Sequence, residues 1–144
     1  MMTHPVAAWP SSPLPGRLAR LVLTLPFWWS GLSKLGDFSS ALGEVAHFGL
    51  HPPMLFAVLV IAVQLGGSIL LIAGVWPWLA AGALAAFTLA ASLMGHAFWN
   101  LPDPQARFHD MNAFLANMGL IGGLALGALT ARAAKKREGP RQAP

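Results

Sequence analysis

Few side chains in this chain can do chemistry, and they stand where hydrocarbon tolerates them poorly. Lys34, Gln64, His96, Asn100 and Asn117 interrupt or close long apolar runs, and Trp99 follows His96 at a spacing that places both on one helix side. An ammonium, an imidazole and three amides form a hydrogen-bonding set suited to the carbonyl or hydroxyl of an uncharged organic ligand. His96 could also exchange a proton with such a ligand. Thiol chemistry is excluded. Cysteine is absent, which removes a thiol–disulfide relay, a cysteine-held iron–sulfur cluster and covalently attached c-type haem. The sequence offers no convincing set of metal ligands, so electrons would have to come from a partner or from a bound organic cofactor.

The elements that position these groups follow from composition. Of 144 residues, 56% are hydrophobic and only 10% charged, whereas about a quarter of a soluble domain is charged. No lysine or arginine occurs from Leu35 to Ala106. Both facts point to a single integral membrane domain. A helix needs about 20 mostly apolar residues to cross the hydrocarbon core. Four stretches qualify: from about Leu18 to Leu35, Met54 to Val75, Trp78 to Trp99 and Met111 to Ala131. The alternating segments of a β-barrel, about half as long, are not visible.

The fold expected is therefore all-α, a transmembrane four-helix bundle over residues 17–131. A flexible proline-rich tail is expected at 1–16, and a basic tail at 132–144. Trp76 and Pro77 separate the second and third spans, which predicts a tight helical hairpin. Between the first and second spans, Phe38, Leu42 and Val45 recur at helical spacing. They predict a short amphipathic helix on the outer leaflet. Pro26 should kink the first span and free carbonyls one turn earlier.

Orientation follows from the basic residues. Arg17 and Arg20 flank the entry to the first span, and Arg132, Lys135, Lys136, Arg137 and Arg141 follow the last. The connection from Gly36 to Pro53 has Asp37 and Glu44 but no lysine or arginine. Both termini are expected in the cytoplasm of a bacterial inner-membrane protein. The net charge of +4 is then a topology signal and a contact for anionic lipid. Nucleic acid is not an expected partner, because the basic residues are not interleaved with aromatics.

With this topology the polar residues share one half of the membrane. Lys34, His96, Trp99 and Asn100 fall at the periplasmic side, and Gln64 near the midplane, about 16 Å beyond Pro53 at 1.5 Å per residue. Asn117 lies about two turns deeper than Asp110. His109 and Asp110 read as loop residues, and Asn112 as a cap or a neighbour's partner. A common polar cavity open to the periplasmic side is the economical expectation. Each member also has a structural reading: Lys34 can snorkel, His96 and Trp99 can belong to the interfacial belt, and Gln64 and Asn117 can bond across helices. Gly119, Gly123 and Gly127 recur every fourth residue and predict a smooth face. It would meet another helix of the chain or a second protomer in a homo-oligomer.

The order "SGLSKL", "GLHPP", "QLGGSILLIAG", "GHAFWN…D" and "FLANMGLIGGL" resembles the DoxX family of small bacterial membrane proteins, over about residues 17–130. The resemblance implies a four-helix membrane bundle. It also implies a link to quinone-dependent oxidoreductases, such as thiosulfate:quinone oxidoreductase and terminal quinol oxidase subunits. Lys34, His96, Phe98, Trp99 and Asn117 match the family pattern. Gln64 stands where many relatives carry an acidic residue, and Ala116 where they carry a lysine. Three function classes follow. The chain could be a quinone-linked oxidoreductase subunit or accessory, with quinone and an oxidoreductase partner. It could be a non-catalytic scaffold or assembly subunit, or a small transporter or permeability factor. The first is the preferred expectation. The cytoplasmic halves carry no polar path for a transported solute.

Overall fold

A computed structural model describes residues 14–137. The six α-helices among them are α1 (Leu14–Leu23), α2 (Leu25–Gly36), α3 (Phe38–His47), α4 (Pro53–Ala73), α5 (Pro77–Gly95) and α6 (Pro104–Arg137), with a short 3-10 turn at Phe98–Asn100. No strand occurs among the described residues. Residues 14–16 and 132–137 were expected in tails and are helical. The rest of both expected tails lies outside the described residues.

Three helical segments are long and apolar enough to cross a membrane: Pro53–Ala73, Pro77–Asn100 (α5 with the following 3-10 turn) and Pro104–Lys136. The chain is thus a multi-pass membrane protein. The expected first span is instead two helices that meet at Thr24. Pro26 has no N–H to offer the carbonyl one turn back, so the helical ladder must break here. Side chains around the break add bonds to the preceding turn. Thr24 is fully buried and its hydroxyl donates to Arg20 O at 2.8 Å. The Trp28 indole Nε1 donates to Leu21 O at 3.2 Å. Both side chains thus bond carbonyls of the turn before the break, Thr24 also reaching Leu21 O at 3.3 Å.

The other helix ends obey local chemistry. α4 stops at Gly74, which takes the left-handed conformation (φ 72°). Val75 N–H bonds Leu70 O and Gly74 N–H bonds Leu71 O, the paired closure that this conformation permits. Asp37 caps α3 by accepting from Ser40 N–H at 3.0 Å. Asp103 caps α6 by accepting from Ala106 N–H at 2.7 Å, with Pro104 in the first helical position. This cap corrects the expected start of the last helix near Met111. His109, Asp110 and Asn112 are helical, not loop or cap residues.

Packing places the core between α2, α4, α5 and α6. Phe27, Leu71, Leu84, Leu124 and Ala128 are buried together there. α3 covers the start of α4 through Ala41 and Val45, which pack with Ala57 while Phe38 and Leu42 remain partly buried. The glycine face of α6 divides in two. A Cβ on Gly123 or Gly127 would come within 3.0 or 2.9 Å of Leu23 on α1, whereas one on Gly119 would meet nothing. Two of the three glycines therefore serve a contact inside the chain, where backbones approach closely.

Candidate functional site

The polar residues expected to share one cavity fall into three groups in one half of the bundle, two of them hydrogen-bonded. The first joins α2, α3 and α4. Lys34 Nζ lies 2.8 Å from Glu44 Oε2 and donates to Ser30 Oγ at 3.1 Å. Gln64 Nε2 donates to the same Ser30 oxygen at 3.2 Å. Lys34 is largely buried and Glu44 half exposed, so the ammonium points from the apolar interior toward a wetted carboxylate. Gln64 is 3% exposed, and its Oε1 has no protein partner.

The second group lies between α5 and α6. Asn117 Nδ2 donates to Ser92 Oγ at 2.9 Å, and Ser92 in turn donates to Thr88 O at 2.6 Å. Thr88 passes its own hydrogen to Leu84 O at 2.7 Å. Hydroxyls that bond back to the preceding turn let a helix carry polar groups through an apolar core.

The third group is the closing stretch of α5 against the first turns of α6. His96 Nδ1 lies 3.5 Å from Asp110 Oδ1, with each side chain about one-third exposed. That separation exceeds a well-formed hydrogen bond, and Nδ1 is otherwise buried without a partner. Closer approach of that carboxylate would let Nδ1 donate to it and leave Nε2 for another partner. Beside the pair, Phe98, Trp99 and Phe114 pack edge to face with centroids 5.1 to 5.9 Å apart. Trp99 is half exposed. Asn100 ends the 3-10 turn, exposed, and only its backbone N–H is bonded, to Ala97 O.

Among the described residues no hydrogen bond or ion pair joins Lys34 to His96, or His96 to Asn117. Two shallow depressions lie at the opposite end of the bundle. One depression of about 510 Å³ is lined by Trp76, Pro77, Trp78 and Leu79, and one of about 420 Å³ by Arg17, Ile69, Ile72 and Ala73. No three histidine, aspartate or glutamate side chains converge as a metal site among the described residues.

Sequence reasoning finds the donors and misses the partners. Ser30, Glu44, Ser92 and Asp110 complete the groups, yet none stands out in the sequence as a site residue. Glu44 has a signal, being one of two carboxylates in a connection that faces Lys34. Ser92 has another, one turn before His96 on the same helix side. Arg20, expected as a charge at the entry to the bundle, is 5% exposed and donates through Nη2 to Ile72 O at 3.3 Å.

Comparison with known proteins adds a lineage. The family model described as DoxX matches residues 17–97. The chain is similar to inner membrane protein YphA of Escherichia coli (strain K12), 26% identical over 113 residues that cover 78% of this chain and 80% of that protein. No solved structure matches the chain. The family match includes Lys34, Gln64 and His96 and ends before Asn100, Asp110 and Asn117.

Proposed function

Because the chain belongs to the DoxX family, we propose that it is an inner-membrane subunit or accessory of a quinone-linked oxidoreductase, holding a quinone headgroup beside His96. Its relative YphA carries the inner-membrane name. The observation that carries the reading is the His96–Asp110 approach of 3.5 Å beside the Phe98, Trp99 and Phe114 rings. Reduction of a quinone carbonyl takes up a proton, and a partly exposed imidazole backed by a carboxylate can deliver one and be refilled from water. Aromatic edges suit the flat headgroup. The chain's own residues bind, orient and exchange a proton; the electrons belong to a partner.

The bundle in this reading has four spans. α1 and α2 together contain 22 helical residues, ten and twelve. At 1.5 Å each they reach about 33 Å, enough for a hydrocarbon core of about 30 Å. The end with Arg17, Arg132, Lys135 and Lys136 faces the cytoplasm. α3 then lies at the outer leaflet, and His96 opens to the periplasm. A reporter fused after Arg137 should read cytoplasmic; a periplasmic signal contradicts four spans.

A scaffold role is the competing reading. It is favoured by the bonding of Gln64 to Ser30 and of Asn117 to Ser92, which ties α4 to α2 and α6 to α5 without any ligand. Mass spectrometry of small molecules that co-purify with the full chain separates the two. The quinone reading expects quinone with wild type, little with His96→Ala, and partial retention with His96→Gln. Equal amounts in wild type and His96→Ala would favour the scaffold.

A further inference from the structure

The opposite end of the bundle holds two arginines that the proposed function does not use. Arg20 is buried behind the junction of α1 and α4, and among the described residues its Nε has no partner and its side chain makes one hydrogen bond, to Ile72 O. The last turn of α4 offers partial negative charge from its carbonyls, which offsets a guanidinium only in part. Arg17 stands one turn earlier on the same side of α1, exposed. The ion pairs among the described residues are both at the far end, Lys34 with Glu44 and His96 with Asp110. Asp37 and Asp103 cap helices there as well. Among the described residues these two adjacent guanidiniums face no carboxylate, and a buried charge without a partner is costly.

Arg17 also lines a depression of about 420 Å³ whose other walls are Ile69, Ile72 and Ala73. Charge sits at one edge of the depression and hydrocarbon along the rest. A free phosphate would satisfy the first and leave the second bare, whereas a phospholipid satisfies both. We propose that Arg17, backed by Arg20, binds the phosphate of an anionic phospholipid whose acyl chain lies along Ile69, Ile72 and Ala73 in the groove between α1 and α4. The phosphate contacts Arg17 directly and supplies the negative charge that Arg20 lacks, one helical turn away. A headgroup with its own ammonium would bring a positive charge to the same edge, so the site selects phosphatidylglycerol over phosphatidylethanolamine.

The test is native mass spectrometry of the full chain, released from micelles containing phosphatidylglycerol and phosphatidylethanolamine in equal amounts. Wild type should retain phosphatidylglycerol preferentially. Arg17→Gln should cut that preference about fivefold, the equivalent of ~1 kcal/mol for one arginine beside an anionic headgroup. Ile69→Trp, which fills the groove and keeps the charge, should reduce retention similarly. Lys135→Gln with Lys136→Gln should leave the preference unchanged. The site is overturned if the two lipids are retained equally, or if the lysine variants lose as much as Arg17→Gln. Displacement by inorganic phosphate at equal concentration would show a free-phosphate site and would overturn the lipid assignment.

Discussion

The two ends of the bundle handle charge in opposite ways. At the polar end Lys34 meets Glu44 and Ser30, Gln64 meets Ser30, Asn117 meets Ser92, and His96 approaches Asp110. At the basic end Arg17 and Arg20 face no carboxylate among the described residues, and Arg20 makes do with a carbonyl at the end of α4. The first arrangement is satisfied largely within the folded chain, with Gln64 Oε1 and His96 Nδ1 left over. The second needs something from the membrane. Buried polar groups cost little when paired and much when orphaned, so the ends should respond differently to the same kind of perturbation.

The largest effect should come from the basic end, where α1 rests on α6. Gly127→Leu drives a side chain into Leu23 and toward the stem of Arg20, and should cost about 3 kcal/mol in thermal unfolding of the purified protein. Gly119→Leu, on the same glycine face with open space around it, should change stability by less than about 0.5 kcal/mol. Equal losses would mean that the face is not divided between an inner and an outer half.

A smaller effect is expected at the polar end. Ser92→Ala removes the acceptor of the Asn117 amide and should cost about 2 kcal/mol, most of it the penalty of an orphaned donor. Adding Asn117→Leu should restore much of that loss, since no polar group is then left unpaired. If the double variant is the less stable one, the pair does more than satisfy itself, and the self-contained description of this end fails.

Much of this contrast is legible in the amino-acid sequence. Long apolar runs announce α4, α5 and most of α6, because hydrocarbon thickness leaves a length signature that needs no tertiary information. Pro26 announces a disturbance in the first span, though not that Thr24 and Trp28 stabilise the break through their side chains. The expected start of α6 falls too late because residues 103–110 are polar. The Asp103–Pro104 cap signal is present and is outweighed by hydropathy. Partners are the least legible of all. Glu44 lies on α3, beyond the end of the helix that carries Lys34, and Ser92 and Asn117 lie on different helices. The turn of α3 back against α2 and α4, and the packing of α5 on α6, bring them together. Arg20 is hidden for the same reason: its burial depends on α1 lying between α4 and α6, which hydropathy does not encode.

The functional claim rests on His96, and Trp99 supplies a reporter beside it. Quinones quench tryptophan emission on contact, and the difference between wild type and Trp99→Phe isolates that one indole from the six in the chain. A short-chain quinone titrated into the full-length protein in lipid nanodiscs is therefore the most direct measurement. The account predicts saturable quenching of the Trp99 component, with affinity falling about tenfold in His96→Ala, as befits the loss of one buried hydrogen bond. Quenching that rises linearly without saturation, and equally in both proteins, would contradict it.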